Sequence, residues 1–328
     1  MSAIRIVLAV VGAIGLSVTP SSAQTDPAKT YPIRSIRIIV PTSPGGITDT
    51  LARALAQRLT ESLGQQVIVE NRPAGAGHIG MDFVAKAAPD GYTLVVAADA
   101  SFVVEPHLYS KLSYDPINDF IPVSGLGTSP QALLLHPSVP PNTLGELVAY
   151  AKTRPGELNY GTFGIGTSGH LNIITIENET GTKFAPVHYR GAAPAITDLL
   201  GGHIQMMIVA IGLVQQNLQA GKLKALGIGS SARLPQYPDL PAIAESLPGF
   251  LAGSWYGLAA PAGTPRDIVE RLSAETQKFF SDPEFRDKFL APAVTFSIAS
   301  PPDQFAARIR ADFAKWGKVI KDAGVKVE

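Results

Sequence analysis

Short apolar runs alternate along this chain with longer segments in which apolar residues recur every three or four positions. The first run, residues 36–40, is typical of a strand that is buried on both faces. After a turn, leucines recur at every fourth position from Leu51 to Leu63, which is typical of an amphipathic helix. Gly64 stands where a helix commonly ends, and residues 67–69 form the next apolar run. The pattern predicts a strand, a turn, a helix and a strand, joined by a right-handed crossover.

The same alternation continues to the end of the chain. Further strands are predicted at residues 94–97, 131–135, 158–162, 185–189, 204–209, 223–228 and 255–260. Further helices are predicted at residues 79–87, 143–154, 171–180, 192–200 and 213–219, and from residues 264 and 300 onward. Residues 114–122 are interpreted as a long connection. Because alternating strands and helices are typical of parallel sheets, the predicted fold class is α/β with mostly parallel sheets covered by helices.

The turn after the first strand, residues 41–46, is rich in proline and glycine. A helix N-terminus carries about half a positive charge and several N–H groups without an intrahelical partner. Gly45 and Gly46 have no Cβ, so a ligand can approach the backbone closely there. The turn is therefore a candidate anion site that needs no arginine, with an ordinary tight turn as the alternative. Asp49 is interpreted as compensating the helix dipole rather than as a catalytic carboxylate.

A second glycine-rich turn, residues 163–169, also lies between a predicted strand and a predicted helix, and it contains G-x-G-x-x-G. A dinucleotide site would need an acidic residue about 20 positions later, but the next strand ends at Arg190. No cofactor is therefore predicted. The turn is instead suited to a carboxylate, through its backbone N–H groups and the hydroxyls of Thr162, Thr167 and Ser168.

The remaining polar motifs do not predict catalysis. The six histidines never stand at metal-ligand spacing, so no metal site is predicted. Ser168 and His170 suggest a nucleophile and its base, but residues two apart at a helix start do not face each other, and no G-x-S-x-G motif accompanies them. His170 is interpreted as capping the helix or lining a cleft. Ser101 is a further binding candidate because residues 98–101 form a small-residue loop at the same predicted sheet edge.

Composition and the N-terminal segment narrow the function classes. The formal net charge is zero, and the scattered Lys and Arg argue against nucleic acid and against an anionic membrane surface as partners. An apolar run over residues 6–18 and small residues before position 24 predict a signal peptide at residues 1–23. The run is too short to span a bilayer comfortably, so export to the periplasm as a soluble protein is expected. The length of 328 residues favours two domains.

The order and spacing of several short motifs resemble the Bug-type periplasmic substrate-binding proteins of tripartite tricarboxylate transporters. The resemblance covers essentially the whole mature length. The matching segments are residues 41–49 (Pro-Thr-Ser-Pro-Gly-Gly-x-x-Asp), 71–75 (Asn-Arg-Pro-Ala-Gly), 88–92 (Ala-Pro-Asp-Gly-Tyr), 158–161 (Leu-Asn-Tyr-Gly), 166–171 (Gly-Thr-Ser-Gly-His-Leu), 189–194 (Tyr-Arg-Gly-Ala-Ala-Pro) and 261–265 (Pro-Ala-Gly-Thr-Pro).

The resemblance implies a two-lobed periplasmic-binding-protein fold, or Venus flytrap, that closes on a small carboxylate without changing it chemically. Lobe 1 is expected to comprise residues 31–130 plus 257–328, and lobe 2 residues 131–256. In the family, the two facing glycine loops hold the ligand's proximal carboxylate with bridging waters. Carried over position by position, the implied ligand-binding residues are Pro44, Gly45, Gly46 and Asp49 in one loop and Thr162, Gly166, Thr167 and Ser168 in the other.

Two positions depart from the family pattern. Family members commonly have Asn-Pro where this chain has Glu105 followed by proline, and they tend to be polar or acidic where Val209 and Ala210 stand here. A cleft lined by these apolar residues, with Phe102 and Phe163 at its edge, would favour an aromatic acid over a dicarboxylate. The two phenylalanines could equally pack between the lobes, so both ligand classes stay open.

The predicted function is that of a monomeric periplasmic receptor which presents a small organic carboxylate to membrane transporter subunits or to a sensor protein. One alternative is a ligand-sensing partner of a membrane sensor kinase, without a transport role. Another alternative is a periplasmic enzyme on the same scaffold, which would need a titratable pair with perturbed pKa values in the cleft. The residues available for such a pair are Asp49, Asp99, Glu105 and His170.

Overall fold

The computed structural model describes residues 31–73, 77–189 and 191–324. The predicted signal peptide at residues 1–23 lies outside these described residues, as do Arg190 and residues 74–76, which include the last two residues of the second matching motif. Within the described ranges, no helix is both long enough and apolar enough to cross a membrane.

The described chain alternates strands and helices, as the sequence predicts. The strands are β1 (Ile36–Val40), β2 (Val67–Asn71), β3 (Thr93–Ala98), β4 (Phe120–Leu135), β5 (Asn159–Thr162), β6 (Ala185–His188), β7 (Met206–Ala210), β8 (Lys224–Ile228), β9 (Gly253–Pro261) and β10 (Phe296–Ser297). The α-helices are α1 (Ile47–Leu63), α2 (His78–Ala85), α3 (Glu105–Leu108), α4 (Leu144–Lys152), α5 (Ser168–Thr180), α6 (Ala192–Leu200), α7 (Gln215–Gln219), α8 (Arg266–Ser281), α9 (Pro283–Phe285) and α10 (Pro302–Ala323). Short π-helical segments span Ala100–Val104 and Arg286–Leu290, and 3₁₀ turns span Ile211–Leu213, Ile243–Glu245 and Ala291–Ala293.

The strands are hydrogen-bonded in the order β2-β1-β3-β9-β4-β7-β5-β6, with β8 and β10 also paired to β4. The expected parallel pairing is confirmed for β1 with β2 and β3, and for β5 with β6 and β7. The strands β4 and β9 are the exception, because they pair antiparallel with every neighbour. The sheet is therefore parallel at both ends, where the glycine turns follow β1 and β5, and antiparallel in the middle.

The long strand β4 belongs to both halves of the sheet. Residues 120–130 pair with β9, and residues 131–135 pair with β7 and β8. Sequence patterning detects only the second part, residues 131–135, and interprets residues 119–122 as part of a long connection. That interpretation is wrong, because the register shifts near Pro122 and Gly125 allow the strand to continue through residues that usually interrupt one.

Four apolar clusters cover the faces of the two sheet halves. Alternate residues of one strand enter different clusters: Ile38 packs with helices α1 and α8, whereas its neighbour Ile39 packs with α2 and α10. The same alternation places Leu133 and Leu134 of β4 in two further clusters in the other half. Both halves thus have helices on both faces, which leaves the strand ends as the natural place for a ligand.

Substitution of a glycine on β9 tests how closely α10 packs on the sheet. A Cβ added at Gly257 would lie 2.0 Å from Cζ of Phe305. Gly257→Ala is therefore expected to lower the free energy of unfolding by roughly 1–3 kcal/mol, because the ring must shift. The measurement is urea unfolding followed by circular dichroism.

The control is Gly145→Ala on the exposed side of α4, where the new Cβ would have only Thr143 Oγ1 at 4.0 Å. This variant is expected to be neutral or slightly more stable, because alanine favours a helix over glycine. Equal free energies of unfolding for the two variants would contradict the close packing of α10 on β9.

Candidate functional site

The first glycine loop, residues 41–46, leads from β1 directly into α1. Residues 42–46 are exposed, and no side chain caps the helix at Gly46. Gly45 has a φ of +88°, a left-handed conformation that favours glycine, whereas Gly46 has an ordinary φ of −80°. Among the described residues, none has a heavy atom within 4 Å of a Cβ added at either position. The N-terminus of α1 is therefore open to a ligand that approaches the backbone.

Asp49 holds the first loop in shape. Its buried carboxylate accepts hydrogen bonds from the backbone N–H of Gly45 at 2.9 Å, from Arg53 Nε at 3.0 Å and from Asn71 Nδ2 at 2.9 Å. Burial opposes its ionisation, but these donors together hold the pKa of Asp49 below its ordinary value. Asp49 therefore shapes the loop as an anion, and its charge is matched by Arg53.

A second polar cluster lies after β3, at the same sheet edge as the first loop because β1 and β3 are parallel. Ser101 donates to Glu105 at 3.4 Å, and the hydroxyl of Tyr114 lies 2.9 Å from both Glu105 Oε2 and the carbonyl oxygen of Ser101. His78 Nε2 is 3.3 Å from the same carboxylate oxygen. Ser101 is only 7% exposed, so its hydroxyl is engaged inside this cluster.

The second glycine loop, residues 163–167, leads from β5 into α5. Thr167 is the residue before the helix, and its hydroxyl donates to the carbonyl oxygen of Gly164 at 2.8 Å, which closes the loop. Gly166 is buried with a φ of +74°, and a Cβ there would lie 1.9 Å from Leu108 of α3. The second loop therefore packs against α3, the helix that begins at Glu105 of the polar cluster after β3, so elements of the two sheet halves are in contact there.

Two histidines hold the second loop and the end of β5 in place through hydrogen bonds. Nδ1 of His170 accepts the backbone N–H of Gly166 at 3.0 Å, and Nδ1 of His188 lies 2.9 Å from the hydroxyl of Thr162. The two imidazole rings are in edge contact, with centroids 5.0 Å apart. Burial lowers the pKa of His170 to about 4, and the neighbouring His188 adds to the shift. His170 is therefore neutral near pH 7, with its hydrogen on Nε2.

A line of hydrogen-bonded polar side chains, here called the polar chain, connects the second loop with β4 and β9. Gln131 donates from Nε2 to Ser168 Oγ at 2.7 Å and accepts at Oε1 from Asn172 at 2.9 Å. Ser168 Oγ lies 3.4 Å from the hydroxyl of Ser254. Burial raises the pKa of Asp99 to about 7, although the Ser254 hydroxyl beside it stabilises the ionised form.

Comparison with known proteins identifies the family. The family model described as the tripartite tricarboxylate transporter family receptor matches residues 51–325. The chain belongs to this family. Among its relatives, BugT of Bordetella pertussis is 36% identical over 303 residues, which cover 92% of this chain and 93% of BugT.

Solved structures of similar receptors share the whole fold. The structure of R. palustris Rpa4515 with adipate has a TM-score of 0.83 and 33% identity, covering 90% of this chain and 99% of that one. MatC (Rpa3494) from Rhodopseudomonas palustris with bound malate has a TM-score of 0.78 and 32% identity, covering 88% of this chain and all of that one. The predicted Bug-type family, two-lobed fold and receptor function are confirmed, and the sensor and enzyme alternatives are not favoured.

The predicted site residues fall into two groups that differ in their exposure to solvent. Pro44, Gly45 and Gly46 are exposed, and Thr167 is partly exposed. The others are buried with their polar groups already engaged: Asp49, Ser101, Thr162, Gly166, Ser168 and His170. Asp49, Ser101, Thr162 and His170 serve the loops through hydrogen bonds within the protein, and their contact with a ligand stays a prediction.

The apolar residues considered as a cleft lining lie in the cores of the receptor. Phe102 is 1% exposed and stacks on Trp255 with ring centroids 6.0 Å apart. Val209 is 2% exposed and packs in the same cluster as the partly buried Phe163. These contacts agree with the packing interpretation of both phenylalanines and do not favour an aromatic ligand.

Sequence patterning misses three residues of the polar chain, namely Gln131, Asn172 and Ser254. Their partners are 37 to 86 residues away along the chain, so no local motif links them. The one local signal for Gln131 is that it is a polar residue at the start of the otherwise apolar run 131–135.

The neutral state of His170 predicts an acid sensitivity of the receptor. The unfolded chain has a histidine pKa near 6.5 and the folded protein about 4, so stability from this group is full above about pH 6.5 and is lost as the pH falls through 4. The loss is expected to be on the order of 3 kcal/mol at most. His170→Asn keeps an acceptor near the Nδ1 position without a titrating group, and it should lose less stability over this range.

Urea unfolding at a series of pH values measures the difference between wild type and His170→Asn. His203→Asn, at an exposed histidine, is the matched control and should follow wild type. A His170→Asn profile parallel to that of wild type would contradict a neutral, hydrogen-bonded His170.

Proposed function

We propose that this receptor binds an aliphatic dicarboxylate between its two lobes and delivers it to the membrane subunits of a tripartite tricarboxylate transporter. The observation that carries the proposal is the open backbone at Gly46: the N-terminus of α1 has no side-chain cap there, and no heavy atom of the described residues lies within 4 Å of an added Cβ. Such a helix end stabilises an anion through its N–H groups and its dipole. Adipate and malate in the structures of similar receptors support the same ligand class.

The second loop supplies the other half of the proposed site. Thr167 and Ser168 lie at the N-terminus of the 13-residue helix α5, and Ser168 touches Ser254 of β9. A carboxylate held between the N-termini of α1 and α5 would meet two helix dipoles of the same sign. Because Phe102 and Val209 are buried in the cores, we propose an aliphatic chain rather than an aromatic ring for the distal part of the ligand.

The change of partners along β4 supports a division into lobes near the predicted boundary. We propose lobe 1 as residues 31–130 with the C-terminal residues from about 257, and lobe 2 as residues 131–256, with β4 and β9 as the strands that join them. Trp255 packs on Phe102 and Phe305, which supports a crossing on β9 close to this residue and to the proposed boundary at about residue 257. The receptor is proposed to act as a periplasmic monomer after removal of residues 1–23.

A thermal-shift screen tests the ligand class. Adipate, malate and succinate are compared with benzoate, a sugar and a cation, using the mature protein. A specific ligand at 100 times its dissociation constant adds about 2.7 kcal/mol to the stability. A shift with an aliphatic diacid supports the proposal, whereas shifts confined to benzoate, the sugar or the cation would reject it.

Gly46→Val tests the site directly. Valine is compatible with the backbone at this position, because φ is −80° and ψ is 171°, and its side chain would occupy only open space. The variant is therefore expected to fold with wild-type stability but to lose binding of the diacid found in the screen by at least about a hundredfold, because the branched side chain blocks the backbone N–H groups. Isothermal titration calorimetry measures the loss.

The matched control is again Gly145→Ala, an exposed glycine on α4 away from both loops. It should bind the diacid as wild type does. Wild-type affinity in Gly46→Val, with an unchanged melting temperature, would move the site away from the first loop.

A further inference from the structure

Gly166 of the second loop is held from two sides. Its backbone N–H donates to Nδ1 of His170 at 3.0 Å, within its own half of the sheet. On the other side, a Cβ added at Gly166 would lie 1.9 Å from Cδ1 and 3.1 Å from Cγ of Leu108, so the leucine occupies the space that a side chain would need. Leu108 is only 3% exposed. The second loop is therefore shaped on one side by a side chain of α3.

The end of α3 is itself anchored to α10. Nε2 of His107, the residue before Leu108, donates to the carbonyl oxygen of Phe313 at 2.9 Å, and the rings of His107 and Phe313 lie 4.2 Å apart. A Cβ added at Gly317, one turn further along α10, would lie 2.8 Å from Cε1 of His107. The imidazole therefore packs closely on α10, and this packing fixes the position from which Leu108 reaches the second loop.

The contact between Leu108 and Gly166 joins the two proposed lobes. Helix α3 belongs to the proposed lobe 1, whereas the second loop and α5 belong to the proposed lobe 2. Leu171 of α5 is fully buried in the same apolar cluster as Leu108 and Trp316. The second loop and the start of α5 thus rest on lobe 1 through apolar contacts that lie outside the connecting strands β4 and β9. These contacts separate if the lobes move apart.

The backbone at Gly166 depends on such a contact for its conformation. Its φ of +74° is left-handed, and glycine has the widest backbone freedom of any residue, so its own sequence does not hold the loop in this shape. The first N–H groups of α5, which the proposed function assigns to the ligand, follow almost directly. A rotation at Gly166 would redirect them. Fixing Gly166 therefore preorganises these donors, and a preorganised site loses less conformational freedom on binding.

We propose that Leu108 is a positioning residue for ligand binding: from lobe 1 it sets the conformation of the second loop, so that the N–H groups of α5 are aligned only while the lobes are together. The inference rests on the proposed function and adds a residue that lies outside both glycine loops and does not itself touch the ligand. Lobe closure and binding are then coupled through one side chain, and the fraction of receptor with an aligned loop sets the apparent affinity.

Leu108→Ala tests the positioning role. Removing the side chain frees Gly166, and if about one receptor in ten then keeps the aligned loop, the apparent affinity for adipate falls about tenfold. Isothermal titration calorimetry measures this affinity. Leu108→Met fills the same space with an adaptable apolar side chain, and it is expected to restore most of the affinity.

The matched control is Leu144→Ala at the start of α4, away from both loops. Leu144 is 5% exposed, so its truncation also opens a cavity in the core. Both alanine variants should lower the melting temperature, but Leu144→Ala should bind adipate as wild type does. An equal loss of affinity in the two variants, or no loss in Leu108→Ala, overturns the inference.

A double substitution tests the contact itself. Gly166→Ala places a Cβ where Cδ1 of Leu108 lies, so it should weaken adipate binding. The left-handed backbone also disfavours alanine, but this cost is the same with or without Leu108. In the double variant with Leu108→Ala the obstructing methyl group is gone, so adipate should bind more tightly than to Gly166→Ala alone. Additive losses in the double variant overturn the inference.

Small-angle X-ray scattering without ligand separates the inference from the proposed function. Gly166→Ala should have a larger radius of gyration than wild type, and the double variant should return towards the wild-type value. Equal radii in all three proteins overturn the inference even where a diacid binds. Failure of adipate, malate and succinate to bind to wild type rejects the proposed function and with it the role of Leu108 towards a ligand, whatever the scattering shows.

Discussion

All four polar groups of Gln131 are used at the point where β4 changes partners, and the joining of the two sheet halves depends on this residue. Its backbone N–H donates to Ala252 at 3.0 Å, and its carbonyl oxygen accepts from Gly229 at 2.7 Å. Its side chain ties the start of α5 to the same strand through Ser168. An antiparallel crossing strand can be 16 residues long only if its buried backbone stays paired throughout, and Gln131 keeps it paired where the neighbours change.

The proposed anion site relies on helix N-termini rather than on a cationic side chain. Both glycine loops end β-strands and begin helices, so their charge complement is the helix dipole rather than a lysine or arginine. The negative charge of Asp49 is matched by Arg53 and by two further donors, the Gly45 N–H and Asn71 Nδ2. Its role is to set the path of the backbone through Gly45, and the exposed face of the loop remains available.

Local patterning predicts the outer parts of this fold well because their signals are local. The leucine spacing from Leu51 to Leu63 gives α1, and Gly64 ends it in a left-handed conformation. The centre of the sheet is different, because β4 runs through Pro122 and Pro130 and its pairing is set by residues of β9 more than a hundred positions away. The site divides in the same way: the glycines are visible in the sequence, whereas the engagement of Ser168 with Gln131 and Ser254 arises only from tertiary structure.

Burial shifts the pKa values of His170 and Asp99 in opposite directions, and together these shifts leave a range of pH in which both side chains are uncharged. Burial keeps His170 neutral above about pH 4, which preserves its bond to the Gly166 N–H, and burial keeps Asp99 protonated up to about pH 7. Between these values both groups are uncharged. In this range His170 keeps the lone pair that accepts the Gly166 N–H, and Asp99 adds no negative charge. A solvent-facing pair of the same residues would titrate near their ordinary values and would be charged across most of this range.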